Sequence, residues 1–131
     1  MVVGAIAEFS IAASPSEVAE KLKNILPSVD FTFLGDIAND NRDRIELNAK
    51  NGMSLRSWGD EIKIEITNEG SGMSEVRALS IPAVKTTMAD WGRNKSNLKK
   101  ILIELAKTYP NITPSYAKTK MIGEWEIMEA P

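Results

Sequence analysis

The chain has 131 residues, of which 43% are apolar and 26% charged, and this composition predicts one folded globular domain. Its 16 basic and 18 acidic residues leave a formal net charge of −2, so we expect no nucleic-acid partner. The sequence contains no Cys and no His, which excludes disulfides, thiolate nucleophiles, Ser-His-Asp triads and metal sites built on these residues. We therefore predict that the chain is not an enzyme and holds neither a metal nor a cofactor.

The N-terminal stretch is apolar but short, has no basic start and is interrupted by Glu8, so a signal peptide is not expected. No stretch of the sequence approaches the roughly 18 apolar residues that a membrane span requires. We expect a cytoplasmic protein without a transmembrane segment.

The first elements are a strand and a helix. Apolar residues alternate over Val2–Ile11, which predicts a strand. Ser14, Pro15 and Glu17 form a helix-start pattern, with Ser14 as the cap, and Pro27 is expected to end the helix. An apolar stripe follows at helical spacing: Val18, Leu22, Ile25 and Leu26.

Short segments of alternating apolar and polar residues come next, separated by turn residues. They span residues 29–36, 44–50, 53–58, 61–67 and 73–81. Asn51-Gly52 is the strongest hairpin signal, because both residues accept a positive φ. Strands this short with turns this tight predict an antiparallel meander rather than a parallel sheet.

The longest predicted helix runs from Asp90 to Tyr109 and has an apolar stripe: Leu98, Ile101, Leu102, Leu105 and Tyr109. The predicted fold class is therefore α+β, an antiparallel sheet with two helices on one face, in the order strand, helix, strands, helix. Residues 1–110 form the predicted domain. Residues 111–131 form a tail, in which 121–128 is either an added edge strand or mobile.

Two motifs together carry a resemblance. One is Arg56-Ser57-Trp58-Gly59-Asp60-Glu61 in a predicted hairpin, and the other is Asp90-Trp91-Gly92-Arg93-Asn94-Lys95-Ser96-Asn97-Leu98 at the start of the long helix. The pair resembles small uncharacterised bacterial proteins with an S-W-G-E turn and a later D-W/M-G-K-N-x-x-N helix start. The resemblance supports the domain and implies no mechanism. The architecture is also loosely similar to Bet v 1/START-like and TATA-binding-protein-like folds.

The same motifs supply the candidate ligand-binding residues. Trp58 and Trp91 are either the walls of a pocket or fillers at the edge of the core. Asn94 and Asn97 either bind a polar ligand group or fix the backbone of the connection. Arg93 begins a basic helix face that suits an anion or is simply solvated.

Three classes of function remain open. The first is a binding module for a lipid or another apolar small molecule, held between helix and sheet. The second is an interaction module for a protein partner, a second copy of the chain or a membrane surface. The third is an enzyme that uses carboxylates, which would require two facing acids in a cleft.

Overall fold

The computed structural model describes residues 2–51, 59–82, 93–109, 113–121 and 124–128. The elements, in chain order, are β1 (Val2–Ile11), α1 (Pro15–Ser28), β2 (Phe31–Ala38), β3 (Arg44–Asn51), β4 (Asp60–Gly70), β5 (Met73–Pro82), α2 (Arg93–Thr108), β6 (Thr113–Met121) and β7 (Glu124–Met128). The predicted α+β class is confirmed. The predicted strand at 53–58 and the start of the long helix at Asp90 lie outside the described residues.

The seven described strands form one sheet in the order β2-β3-β4-β5-β1-β6-β7, and all neighbouring pairs are antiparallel. The predicted antiparallel meander runs from β2 to β5. The predicted two-residue hairpin at Asn51-Gly52 is wrong, because β3 lies between β2 and β4, and its return strand β4 begins only at Asp60. The first strand, β1, then pairs with β5 on one side and with β6 on the other. The tail therefore contributes two strands where the sequence pattern indicated one.

The start of α1 follows the predicted cap. The backbone N–H of Glu17 donates to Ser14 Oγ at 3.2 Å, and Pro15 occupies the first helical turn. The prediction that Pro27 ends this helix is wrong by one residue, because α1 continues to Ser28. A proline in the last turn lacks only its own N–H, so a single helical hydrogen bond is lost. The end of the helix is closed at the Ile25 carbonyl, which accepts from Ser28 Oγ at 2.6 Å and from the Val29 N–H at 3.2 Å.

Both helices pack on the same face of the sheet, which we call the inner face. The first helix contacts β2, β3 and β4, and the second contacts β1 and β5. The helix residues of the core are Val18, Ala19, Leu22, Ile25, Leu26, Leu98, Ile101, Leu102 and Leu105. The strand residues that meet them are Ala7, Phe9, Ile11, Phe31, Ile45, Leu47, Ala49, Ile62, Ile64, Ile66, Val76 and Ala78. Every second residue of a strand points inward, so the predicted alternation is what builds this core.

The opposite, outer face of the sheet carries charged side chains that pair across neighbouring strands. The ion pairs are Arg44–Glu65 at 2.7 Å, Lys63–Glu46 at 3.0 Å and Arg77–Glu8 at 3.5 Å. This arrangement places Glu46, Lys63, Glu65 and Arg77 on the face of the sheet opposite the helices, where charged side chains can meet water.

Candidate functional site

A group of hydrogen-bonded polar side chains lies at one end of the helix–sheet interface, and we call it the polar cluster: Asn51, Asp60, Ser80 and Asn97. The Nδ2 of Asn97 donates to Asp60 Oδ2 at 2.9 Å and to Ser80 Oγ at 3.2 Å. The Nδ2 of Asn51 donates in turn to Asn97 Oδ1 at 3.3 Å. Asp60, Ser80 and Asn97 are buried, and Asn51 is partly buried.

Strand register and helix period together place these residues. Ser80 pairs with Ile62 across β4 and β5, and Asp60 begins β4 two residues earlier on the same inner face. Asn97 precedes Ile101 by four residues, so it lies on the core-facing stripe of α2, one turn nearer the helix start. The last residue of β3, Asn51, completes the group.

The hydrogen bonds of Asn97 connect α2 to three strands. Buried amides and carboxylates are costly unless they are hydrogen-bonded, and both N–H groups of this amide donate to protein oxygens. These hydrogen bonds join Asn97 to strand side chains, so they hold the start of α2 against the ends of β3, β4 and β5.

The polar cluster also joins the two motifs that the sequence singled out. Asp60 belongs to the first motif and Asn97 to the second, and their side chains are in direct hydrogen-bond contact. Trp58 and Trp91 lie outside the described residues. Arg93 and Asn94 are placed in the first turn of α2.

Sequence reasoning missed three members of the cluster: Asn51, Asp60 and Ser80. A signal for Ser80 was present in the alternation of β5, since Ser80 occupies an inward position after Val76 and Ala78. No comparable signal distinguished Asn51 or Asp60, because both adjoin turn residues, where polar side chains are usual.

Glu75 and Tyr109, which lie away from the polar cluster, have raised pKa values. Burial raises the pKa of Glu75, and the nearby carboxylates of Glu69 and Glu8 raise it further. Burial, followed by the charge of Glu17, raises the pKa of Tyr109, whose hydroxyl donates to Glu17 Oε2 at 3.3 Å. These groups are remote from the polar cluster, so their shifts do not point to acid–base chemistry there.

The described ranges contain neither a membrane-spanning helix nor a metal-binding group of side chains. None of their helices combines the length and hydropathy needed to cross a bilayer. Across the same ranges, no three acidic side chains lie close enough together to form a metal-binding group.

No protein-family model matches the chain, and no curated protein matches it significantly. The resemblance to the small bacterial proteins with the S-W-G-E turn thus stays a prediction.

Proposed function

We propose that the chain is a small non-enzymatic binding module for a lipid or another mostly apolar small molecule. In this proposal the ligand lies at the end of the α2–sheet interface where α2 begins, with its polar end at the polar cluster. The observation that carries the proposal is the concentration of buried Asp60, Ser80 and Asn97 at one end of an otherwise apolar interface. Binding sites commonly combine apolar walls with a few fixed polar groups.

The packing of the rest of the interface supports this position for the ligand. Leu98, Ile101 and Leu105 are fully buried within the apolar core, so side chains already fill the interface beyond the cluster. Beside the cluster the strand residues are small, with Ala49 two positions before Asn51 and Ala78 two positions before Ser80. A ligand would therefore enter at the end where α2 begins.

The chemistry of the cluster suggests which polar groups the ligand carries. The carboxylate of Asp60 and the hydroxyl of Ser80 accept hydrogen bonds, and such groups suit a hydroxyl or an amine. We assign Trp58 and Trp91 to the apolar walls, because both flank the cluster in the sequence. Arg93 and Asn94 are assigned to the rim on the same basis.

The test is native mass spectrometry of freshly purified protein, followed by titration with the fluorescent amine dansylcadaverine, whose alkyl chain ends in an amine of the kind that suits Asp60 and Ser80. We expect a retained small-molecule mass and saturable binding of the probe. Ser80→Ala should raise the Kd of the probe by roughly tenfold, since it removes a hydrogen-bond partner of Asn97.

Ser74→Ala is the matched control. Ser74 is also buried on β5, but its hydroxyl donates to the Ala13 carbonyl at 2.6 Å, at the other end of the strand. The proposal fails if the wild-type chain neither retains a ligand nor binds the probe. Equal weakening by both substitutions would instead show that the site is not at the polar cluster.

A second candidate function is an interaction module whose outer sheet face binds a second copy of the chain. Leu34 and Ile37 on β2 are 58% and 67% exposed, which is unusual for large apolar side chains in a strand. Three ion pairs within the chain balance six of the charges on this face, which reduces the repulsion between two copies that approach each other.

Sedimentation velocity tests this candidate. The wild-type chain should form a dimer at micromolar concentration, and Ile37→Lys should return it to a monomer. The control is Ile103→Lys, which changes another exposed isoleucine on α2 and should leave the dimer intact. A monomeric wild-type chain would contradict the second candidate.

A further inference from the structure

The edge strand β2 has a sequence that favours association. It is the outermost strand on its side of the described sheet, so one row of its backbone groups has no strand partner there. Its eight residues, FTFLGDIA, include a single charge, and Leu34 and Ile37 are exposed. An apolar, weakly charged edge of this kind is a template for pairing with strands of other molecules.

An irregularity interrupts this edge near its middle. Phe33 pairs with Ala49 and Gly35 with Asn48, so Leu34 is an extra residue in β2, a β-bulge. Gly35 has φ +151°, a conformation that side-chain-bearing residues rarely adopt. A strand that docked along β2 could not keep a regular hydrogen-bond register across this point.

The bulge also turns a charge toward the inner face. Asp36 pairs with Leu47, a core residue, so its side chain is on the side of the helices. In a regular strand Asp36 would lie on the outer face, opposite to Phe33. Lys23 of α1 meets this carboxylate at 2.9 Å and also lies over the Phe33 ring, at 5.9 Å from its centroid.

The Lys23–Asp36 ion pair is partly exposed to water at the unpaired edge of β2. The side chains of Lys23 and Asp36 are 25% and 33% exposed. Lys23 holds the pKa of Asp36 below its usual value, so the carboxylate is charged at neutral pH. A further strand beside β2 would dehydrate both charges, which is unfavourable even for a paired ion.

We propose that the bulge at Leu34–Gly35 and the Asp36–Lys23 pair together prevent β2 from pairing with a strand of a second copy of this chain. We call this arrangement the edge guard. It is independent of the ligand proposed above. It also restricts any association of two copies to the faces of the sheet or to its other edge.

Removal of the guard is the test. Asp36→Val replaces the inward charge by an apolar residue that favours strands, and deletion of Gly35 restores a regular register with Leu34 opposite Asn48. Each variant should form larger species in sedimentation velocity than the wild type. In thioflavin T assays each should shorten the lag time by roughly tenfold.

Asp40→Val is the matched control, because it makes the same chemical change at an exposed turn residue outside β2. It should behave as the wild type. A second variant exchanges the charges, Lys23→Glu with Asp36→Lys, and should also stay as the wild type because an inward ion pair remains.

Circular dichroism identifies the variants that fold, and only those are compared. If Asp36→Val does not fold, the Gly35 deletion alone tests the proposal, since it removes the bulge and leaves every charged residue in the sequence. The proposal is overturned if a folded guard variant keeps the wild-type sedimentation and lag time. It is equally overturned if Asp40→Val associates as strongly as Asp36→Val.

Discussion

Ile101→Ala should lower the free energy of unfolding by about 3 kcal/mol, whereas Ile103→Ala should change it by less than about 0.5 kcal/mol. The two isoleucines are two residues apart on α2, but Ile101 is 1% exposed and Ile103 is 39% exposed. Truncation of Ile101 removes buried methyl groups and leaves a cavity between the helix and the sheet. At Ile103 the loss of partly exposed surface is offset by the higher helix propensity of alanine.

Urea denaturation followed by circular dichroism at 222 nm measures both variants against the wild type. The comparison holds residue type, helix and substitution constant, so burial is the variable that differs. Equal losses at the two positions would contradict the packing of the α2 stripe on the sheet. That packing brings Asn97 of α2 to the three cluster residues of the sheet, Asn51, Asp60 and Ser80.

Asn97→Asp should destabilise the fold by about 3 kcal/mol at pH 7. The substitution keeps the size of the side chain but places a second carboxylate against Asp60, where Asn97 Nδ2 now donates to Oδ2 at 2.9 Å. Two buried carboxylates at this distance cannot both ionise without strong repulsion. The hydrogen bond to Ser80 Oγ also loses its N–H donor.

The loss in Asn97→Asp should depend on pH. Repulsion raises the pKa of the new pair in the folded state above the unfolded value of about 4. The folded variant therefore binds more protons than the unfolded chain, and its stability falls as pH rises above about 4. Below that pH the difference from the wild type should shrink.

Urea denaturation across the pH range measures this effect, and Asn24→Asp is the control. Asn24 is exposed on α1, so the same substitution there should change stability by less than about 0.5 kcal/mol. A stability of Asn97→Asp that does not vary with pH would contradict the direct contact between Asn97 and Asp60.

Local patterns in the sequence were sufficient for most of the elements. The alternation of Ile62, Ile64 and Ile66 predicted both the strand and its buried face. Ser14 and Pro15 predicted the start of α1. Strand alternation and helix caps depend only on residues a few positions apart, so they can be recognised in the sequence alone.

Other features depend on residues that are distant in the sequence. Strand alternation places Asp36 on the outer face, and only pairing with β3 shows that the extra Leu34 turns it inward. Single-sequence patterns also do not specify that β1 lies between β5 and β6. Strand order results from packing the whole chain, which local propensity does not encode.

The candidate site, like the fold, was predictable from the sequence only in part. The sequence by itself determined that Asn97 lies near the start of a helix and that Asp60 adjoins a turn. Only the tertiary structure decided that these two side chains meet each other and Ser80 in a buried cluster. The physical reason is that a hydrogen bond between residues 37 positions apart requires the sheet and α2 to be packed first, and no local interaction specifies that packing.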